Sequence, residues 1–160
     1  MTIVKLLLVA VISYLLGSLN FGVILSRKLK KEDVRDRGSG NAGTTNMMRS
    51  YGKVYGFLTI AGDILKVMVA IWIAFKIVPV YELKKLLDSL DTNCVICLKS
   101  FAGLFAVIGH IFPCFFGFKG GKGVLVGVSV FLVIDPAVFG ILIFIFAVTL
   151  ILTHYVSVSS

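Results

Sequence analysis

The chain has 160 residues, 58% of them hydrophobic, a mean hydropathy of +1.01 and a formal net charge of +8. Ordinary soluble domains are about 45–50% apolar, so this composition excludes that class and indicates a membrane protein. The basic charges lie between long apolar runs, which favours orientation in a membrane or a site for a phosphorylated ligand over nucleic-acid binding.

The first apolar run, residues 3–25, carries one charge, Lys5, at its start. At about 1.5 Å per residue, a helix of this length crosses the roughly 30 Å apolar core of a membrane. The run is too long for a secretory signal peptide and lacks a small-residue cleavage site. Its second half holds small and polar residues that predict close helix packing: Gly17, Ser18, Asn20 and Gly22.

A polar loop follows over residues 27–53, with eight basic and three acidic residues, and all three acids precede Gly38. We call the stretch Gly38–Arg49 the first loop; it contains three glycines, two threonines, two asparagines, one serine and no acid. Glycine permits turns in which successive N–H groups converge, and the hydroxyl, amide and guanidinium groups are donors suited to phosphate. This composition fits both an anion-binding loop and a solvated turn.

The second apolar run, residues 54–78, contains Asp63 and Lys66. Residues three apart share a helix face and can pair. A charge at this depth costs about 2.5–3.5 kcal/mol, so each needs compensation. Two interpretations remain open, namely a structural ion pair and direct participation in a site.

Residues 79–99 form the second polar segment, in which leucines at helical spacing predict a short helix lying in the membrane interface. Cys94 and Cys97 form a lone CxxC, which is weak evidence for metal and is read mainly as small apolar residues. The third apolar run, residues 100–116, contains His110 near its end. A lone histidine there is either a packed, hydrogen-bonded residue or a catalyst.

We call Gly117–Gly123 the second loop; it has four glycines and two lysines in seven residues. It departs from the nucleotide P-loop because Gly123 stands where Ser or Thr would hold magnesium, and Phe116 replaces the first glycine. Backbone N–H groups at a helix N-terminus together with lysine charge favour phosphate, and the alternative is a flexible turn with lysines that snorkel.

The last apolar stretch, from residue 124 onwards, is interrupted by Asp135 and Pro136. Residues 124–134 are too short to span unless their helix begins within the glycines, and residues 137–153 form a further span. The sequence therefore predicts an all-α, polytopic membrane protein with about five crossings, and a single domain over residues 1–160.

Successive polar segments of a chain that crosses a membrane lie on alternate sides, so the two loops are predicted to lie on the same side. Ten basic residues lie on that side and four on the other. Because lysine and arginine favour the cytoplasm, the loops are predicted to be cytoplasmic and the N-terminus outside. No Ser-His-Asp arrangement, metal cluster or cofactor motif is evident, so any chemistry would rely on positioning and charge stabilisation.

The string from Ser39 to Arg49 resembles the first signature, SGNxGxTNxxR, of the bacterial acyl-phosphate-dependent glycerol-3-phosphate acyltransferases, the PlsY family, at every fixed position. Gly117–Gly123 resembles the second signature, built on GGK. The resemblance covers all 160 residues. It implies acyl transfer from acyl phosphate to the 1-hydroxyl of glycerol 3-phosphate in phospholipid synthesis, at the cytoplasmic face of the bacterial inner membrane and with no cofactor.

The resemblance also implies roles for individual residues. Ser39, Arg49 and Lys122 are the expected catalytic residues, with Arg49 and Lys122 holding glycerol phosphate. Gly120 and Gly121 are expected to offer backbone donors. The acyl phosphate cradle would comprise Ser39, Gly40, Asn41, Gly43, Thr45 and Asn46, and the other substrate-binding residues would be Lys119, Ser157 and Ser160.

The chain departs from the family pattern in two places. His154 stands where the family usually has arginine, and the third signature, HxxNxxRLxxGxE, does not occur within residues 1–160 although the family has seven spans. A truncated form, a partner that supplies this part, and an inactive subunit are the alternatives. A different class of function, an anion-binding membrane transporter, would also use basic glycine loops and intramembrane charges.

Overall fold

The computed structural model of the protein describes residues 1–87 and 93–153, and every regular element in these two ranges is helical. This confirms the predicted all-α class. A π-helical turn covers Ser26–Lys30, and short 3-10 helices cover Val34–Asp36 and Cys114–Phe116. The α-helices are α1 (Thr2–Gly17), α2 (Phe21–Leu25), α3 (Thr44–Tyr51), α4 (Lys53–Ile77), α5 (Val80–Leu86), α6 (Cys94–Ile111), α7 (Val124–Ile134) and α8 (Pro136–Thr153).

The centre of the bundle is formed by α1, α4 and α6, with α7 against them. Their shared core consists of small and β-branched side chains, including Val9, Val67, Ala102 and Val126, each at most 1% exposed. Gly17 allows α1 to lie directly on α6, since a methyl group there would come within 2.1 Å of the Ala106 carbonyl oxygen. The prediction that the small residues of the first run serve helix packing is confirmed at this position.

The first apolar run is not one straight helix. The chain breaks between Gly17 and Phe21, and the two parts differ in direction by 42° when the second is taken to Lys30. Asn20 causes α2 to begin afresh, because its side-chain oxygen accepts a hydrogen bond from the N–H of Val23 at 3.3 Å. Hydropathy alone does not show this break.

Within the described residues, α4 and the region from Cys94 to Phe116 are long and apolar enough to cross a membrane, and the bent first run is a third span if its two parts cross together. The predicted count of five crossings also included residues 124–134 and 137–153, whose helices are apolar but shorter. The helix α7 begins at Val124, after the glycines, so its 11 residues extend only about 16 Å. Its neighbour α8 is also one of the shorter apolar helices by this measure.

Both long apolar helices, α4 and the region from Cys94 to Phe116, lie between the first and second loops. If each crosses the membrane once, an even number of crossings separates the loops and they lie on the same side. The other junctions follow the prediction: α5 is the short helix between the second and third runs, and the chain breaks between Ile134 and Pro136.

Candidate functional site

The first loop is organised around the side chain of Asn46, which is 1% exposed. Its oxygen accepts a hydrogen bond from the N–H of Ser39 at 2.9 Å. Its amide group donates to the carbonyl oxygens of Val34, Arg37 and Asn41, each at 2.9 Å. Asn46 is thus fully engaged with the backbone, and within the predicted site it holds the loop in shape.

This arrangement leaves other predicted residues open to solvent. The backbone turns through left-handed conformations at Gly38 (φ 57°) and Gly40 (φ 72°), which glycine adopts without strain. Gly43 is the N-cap of α3, so the N–H groups of the first turn of this helix favour an anion. The solvent-exposed members of the predicted set in this loop are Ser39, Gly40, Thr45 and Arg49.

Two buried oxygens in the first loop have no hydrogen-bond partner within the described ranges, namely Asn41 Oδ1 and Thr44 Oγ1. Buried polar atoms normally have a hydrogen-bond partner. Two such oxygens without a partner, beside a helix N-terminus, fit a loop that binds a polar ligand. Thr44 was not among the predicted residues. Its signal in the sequence is its position as the first residue of the helix, next to Thr45.

Arg35 joins the first loop region to the second loop. Its Nη1 donates to the carbonyl oxygen of Phe116 at 2.7 Å and to that of Lys119 at 2.9 Å. The other edge of the guanidinium faces Asp33, with Nη2 to Oδ2 at 2.8 Å. Phe116 also packs against the small core of Val23, Val34, Ala42 and Met47 beneath the first loop.

The same contacts keep Asp33 ionised. Hydrogen bonds from the Arg35 guanidinium, with weaker help from Arg27, hold the pKa of Asp33 well below its ordinary value of 3.8. A depressed carboxyl pKa means that this stabilisation is complete above the ordinary value and is lost only as the pH falls towards the folded-state pKa. The link between the loops therefore persists throughout the physiological pH range.

In the second loop, the predicted role of Gly120 and Gly121 as backbone donors to a ligand is not met in this structure. The N–H of Gly120 donates to the Ile111 carbonyl at 3.1 Å, and that of Gly121 to the His110 carbonyl at 3.2 Å. These bonds satisfy carbonyls at the end of α6, which have no partner within the helix. Glycine is required for close approach, since a methyl group at Gly121 would come within 2.3 Å of His110 Nε2.

The predicted cationic residues remain available. Arg49, Lys119 and Lys122 are all exposed, and their side chains make no hydrogen bond or ion pair with the part of the chain that the structure describes. The backbone of Lys119 is fixed by Arg35. Ser157 and Ser160 lie outside the described residues.

A surface depression of about 490 Å³ lies beside the first loop. Both signs of charge are present on its walls, and none of the predicted site residues lines it. The lining residues are Lys31, Glu32, Asp33, Asp36 and Arg37.

A buried charged cluster lies between α4 and the end of α6. Lys66 Nζ is 2.8 Å from Asp63 Oδ1 and 2.8 Å from His110 Nδ1, and the side chains of all three residues are at most 4% exposed. The predicted Asp63–Lys66 pair is confirmed, and His110 joins it. The contact between Lys66 and His110 joins α4 to the last turn of α6.

The fold and these loops define a helical membrane protein with two linked, basic, glycine-rich loops on one face. The sequence model of the glycerol-3-phosphate acyltransferase family matches residues 7–160, so the chain belongs to this family of enzymes. It is 41% identical over 150 residues to the glycerol-3-phosphate acyltransferase of Syntrophomonas wolfei, covering 94% of this chain and 69% of that protein. It is 42% identical to that of Ureaplasma urealyticum, covering 99% of this chain and 62% of the relative.

Solved structures give the same assignment. The crystal structure of PlsY (YgiH), an integral membrane glycerol 3-phosphate acyltransferase in its glycerol 3-phosphate form, matches with a TM-score of 0.78 at 36% identity, over 96% of this chain and 70% of that one. The lysophosphatidic acid form matches with a TM-score of 0.74. The chain is therefore an integral membrane protein of this family, and it spans about 62–70% of the length of these proteins.

The contacts of Arg35 predict that it fixes the second loop. Arg35→Lys keeps the charge but removes the fork that bonds two carbonyls. Hydrogen bonds from a charged donor are worth about 1.5–3 kcal/mol, so amide hydrogen exchange of residues 117–123 should become about tenfold faster. The matched control is Arg37→Lys, because Arg37 pairs only with Glu32 among the described side chains. Equal exchange rates in both variants would show that Arg35 does not hold the loop.

Proposed function

We propose that this chain transfers an acyl group from acyl phosphate to the 1-hydroxyl of glycerol 3-phosphate, giving lysophosphatidic acid and phosphate. The observation that carries the proposal is the Arg35 bridge, which joins two basic glycine-rich loops from sequence positions over 80 residues apart. Two phosphate-bearing substrates require two such sets of donors close together. The relatives' names and the two ligand forms of the PlsY structure support the same reaction.

In this proposal the first loop binds acyl phosphate. The hydroxyl groups of Ser39 and Thr45 and the first-turn N–H groups of α3 contact its phosphate, and Gly40 and Gly43 keep the backbone open to it. Asn46 acts by holding the loop, since its amide is fully used by backbone groups. Asn41 offers an unpaired oxygen.

Glycerol 3-phosphate is bound by the free cations, Arg49 and Lys122, with Lys119 beside them. A guanidinium matches two phosphate oxygens at once, and an ammonium group adds a point charge. Gly120 and Gly121 contribute by fixing the backbone on which Lys122 stands. Ser157, Ser160 and the third family signature complete the proposed site from residues outside those described, with the signature supplied by a partner or by a longer form of the chain.

The reaction needs no strong nucleophile from the protein. The oxygen of the substrate's 1-hydroxyl forms an ester bond with the acyl carbonyl carbon, and the bond from that carbon to the phosphate oxygen breaks. The departing phosphate accepts the hydroxyl proton. Ser39, Arg49 and Lys122 lower the barrier by orienting the two substrates and stabilising the negative charge.

The membrane supplies the acyl chain, and the cytosol supplies glycerol 3-phosphate. We place both loops at the cytoplasmic face of the bacterial inner membrane, because ten basic residues lie on the loop side and four on the other. The N-terminus is then outside. Exposed apolar side chains along α4 and α8, including Trp72, Phe144 and Ile151, face the lipid that delivers the acyl group.

The direct test measures acylation of radiolabelled glycerol 3-phosphate by the purified chain with acyl phosphate, acyl-CoA or acyl carrier protein as donor. We expect transfer from acyl phosphate only. The control joins the chain to the remaining C-terminal part of the Syntrophomonas wolfei relative. Activity of the joined form alone would show that the third signature is needed, and inactivity of both forms with every donor would refute the proposed reaction.

Arg49→Ala and Lys122→Ala are each expected to lower kcat/KM at least a hundredfold, because each removes a phosphate-binding cation. Melting temperatures in detergent should stay within about 2 °C of wild type, since neither side chain makes a hydrogen bond or ion pair with the described part of the chain. Lys28→Ala and Lys53→Ala, which remove other exposed lysines of the same polar segment, serve as matched controls. Wild-type rates in Arg49→Ala or Lys122→Ala would contradict their roles.

A further inference from the structure

We propose that Lys66 is a positioning residue for both loops, acting through His110 on the second loop and through the α1–α2 break on the first. Its role is to set the distance between the two phosphate-binding segments. The inference rests on the proposed function for its kinetic consequences, whereas its structural consequences are independent of it.

Lys66 makes polar contacts with three different parts of the fold, one of them an ion pair and two of them hydrogen bonds. Nζ lies 2.8 Å from Asp63 Oδ1 on its own helix and 2.8 Å from His110 Nδ1 at the end of α6. It also donates to the carbonyl oxygen of Leu19 at 3.0 Å, within the break between α1 and α2. The contacts with His110 and Leu19 pair further protons of the buried amine, and both acceptors belong to elements other than α4.

The contact with His110 leads directly to the second loop. With its Nδ1 held by Lys66, the ring points its Nε2 edge at Gly121, where a methyl group would come within 2.3 Å. The carbonyl oxygen of the same histidine accepts the N–H of Gly121 at 3.2 Å. The ring and the carbonyl group of His110 therefore both contact Gly121, the residue that precedes Lys122.

The contact with Leu19 leads to the first loop. Leu19 is followed by Asn20, which starts α2, and by Val23, which is fully buried against Val34, Ala42 and Met47. Ala42 and Met47 belong to the first loop and α3. A shift of the Leu19 carbonyl would therefore move the support on which the first loop rests, because a close-packed core transmits displacement.

The experiment compares Lys66→Met, the double variant Asp63→Asn/Lys66→Met and His110→Asn with wild type. Lys99→Met is the matched control, since Lys99 also donates from a helix to a backbone carbonyl, that of Val133 at 2.6 Å. Asparagine at position 110 keeps an acceptor near the Nδ1 position but removes the ring edge against Gly121. The readouts are amide hydrogen exchange of both loops without substrate, melting temperature, and KM and kcat for glycerol 3-phosphate.

For Lys66→Met we expect exchange at least tenfold faster in residues 38–43 and 117–123, and KM at least tenfold higher with kcat lowered less than threefold. The double variant removes both charges, so it should regain the wild-type melting temperature without regaining loop protection or KM. His110→Asn should loosen residues 117–123 alone. Lys99→Met should leave both loops and KM unchanged.

The proposal is overturned if the double variant has wild-type exchange and KM, because Lys66 would then be only half of a neutral ion pair. It is also overturned if Lys99→Met loosens the loops as much as Lys66→Met. The exchange data separate this inference from the reaction. Faster exchange in both loops of the double variant, together with a wild-type chain that acylates nothing, would support the positioning role and refute the proposed function.

Discussion

The guanidinium of Arg35, just before the first loop, holds the second loop through the carbonyl oxygens of Phe116 and Lys119, which lie 81 and 84 residues further along the chain. Its geometry depends on Asp33, which occupies the other edge of the guanidinium and so fixes the direction in which Nη1 points. A planar guanidinium group with a carboxylate on one edge and two carbonyl groups on the other has little freedom to rotate. The arrangement of the two glycine-rich loops as one site depends on this bridge.

Below the bridge, two further constraints hold the loops at a fixed separation. The first loop rests on a small apolar core and is held in shape by the amide of Asn46. The second loop is tied by Gly120 and Gly121 to the end of α6. The polar cluster of Asp63, Lys66 and His110 lies behind both. The exposed cations therefore extend from rigid supports, which is what catalysis by positioning requires.

The sequence was sufficient to predict the helical membrane fold, the Asp63–Lys66 pair and the shared face of the two loops. Long apolar runs predict the fold, a spacing of three on a helix predicts the ion pair, and the alternation of polar segments across the membrane predicts the shared face. The break before Phe21 was missed because hydropathy continues through it, whereas the cap made by Asn20 changes the backbone direction. The number of long apolar helices in the described residues is two, or three if the bent first run is one span, and α7 is short because it begins only after Gly123.

Within the candidate site, the structure shows contacts that the sequence does not reveal. Arg35 was one of eight basic residues in its segment, and nothing local distinguishes it from Arg37. Backbone hydrogen bonds are not visible in a glycine pattern, so Gly120 and Gly121 were read as donors to a ligand rather than as a cap for α6. The role of His110 stayed open in the sequence because its partner, Lys66, lies 44 residues earlier.

We propose that cations from both loops together bind the phosphate of glycerol 3-phosphate. A structure of the chain with glycerol 3-phosphate bound tests it most directly. The ligand phosphate is expected to lie within about 2.7–3.2 Å of donor atoms on both Arg49 and Lys122. A phosphate held by residues of one loop only, with the other cation still in solvent, would contradict it.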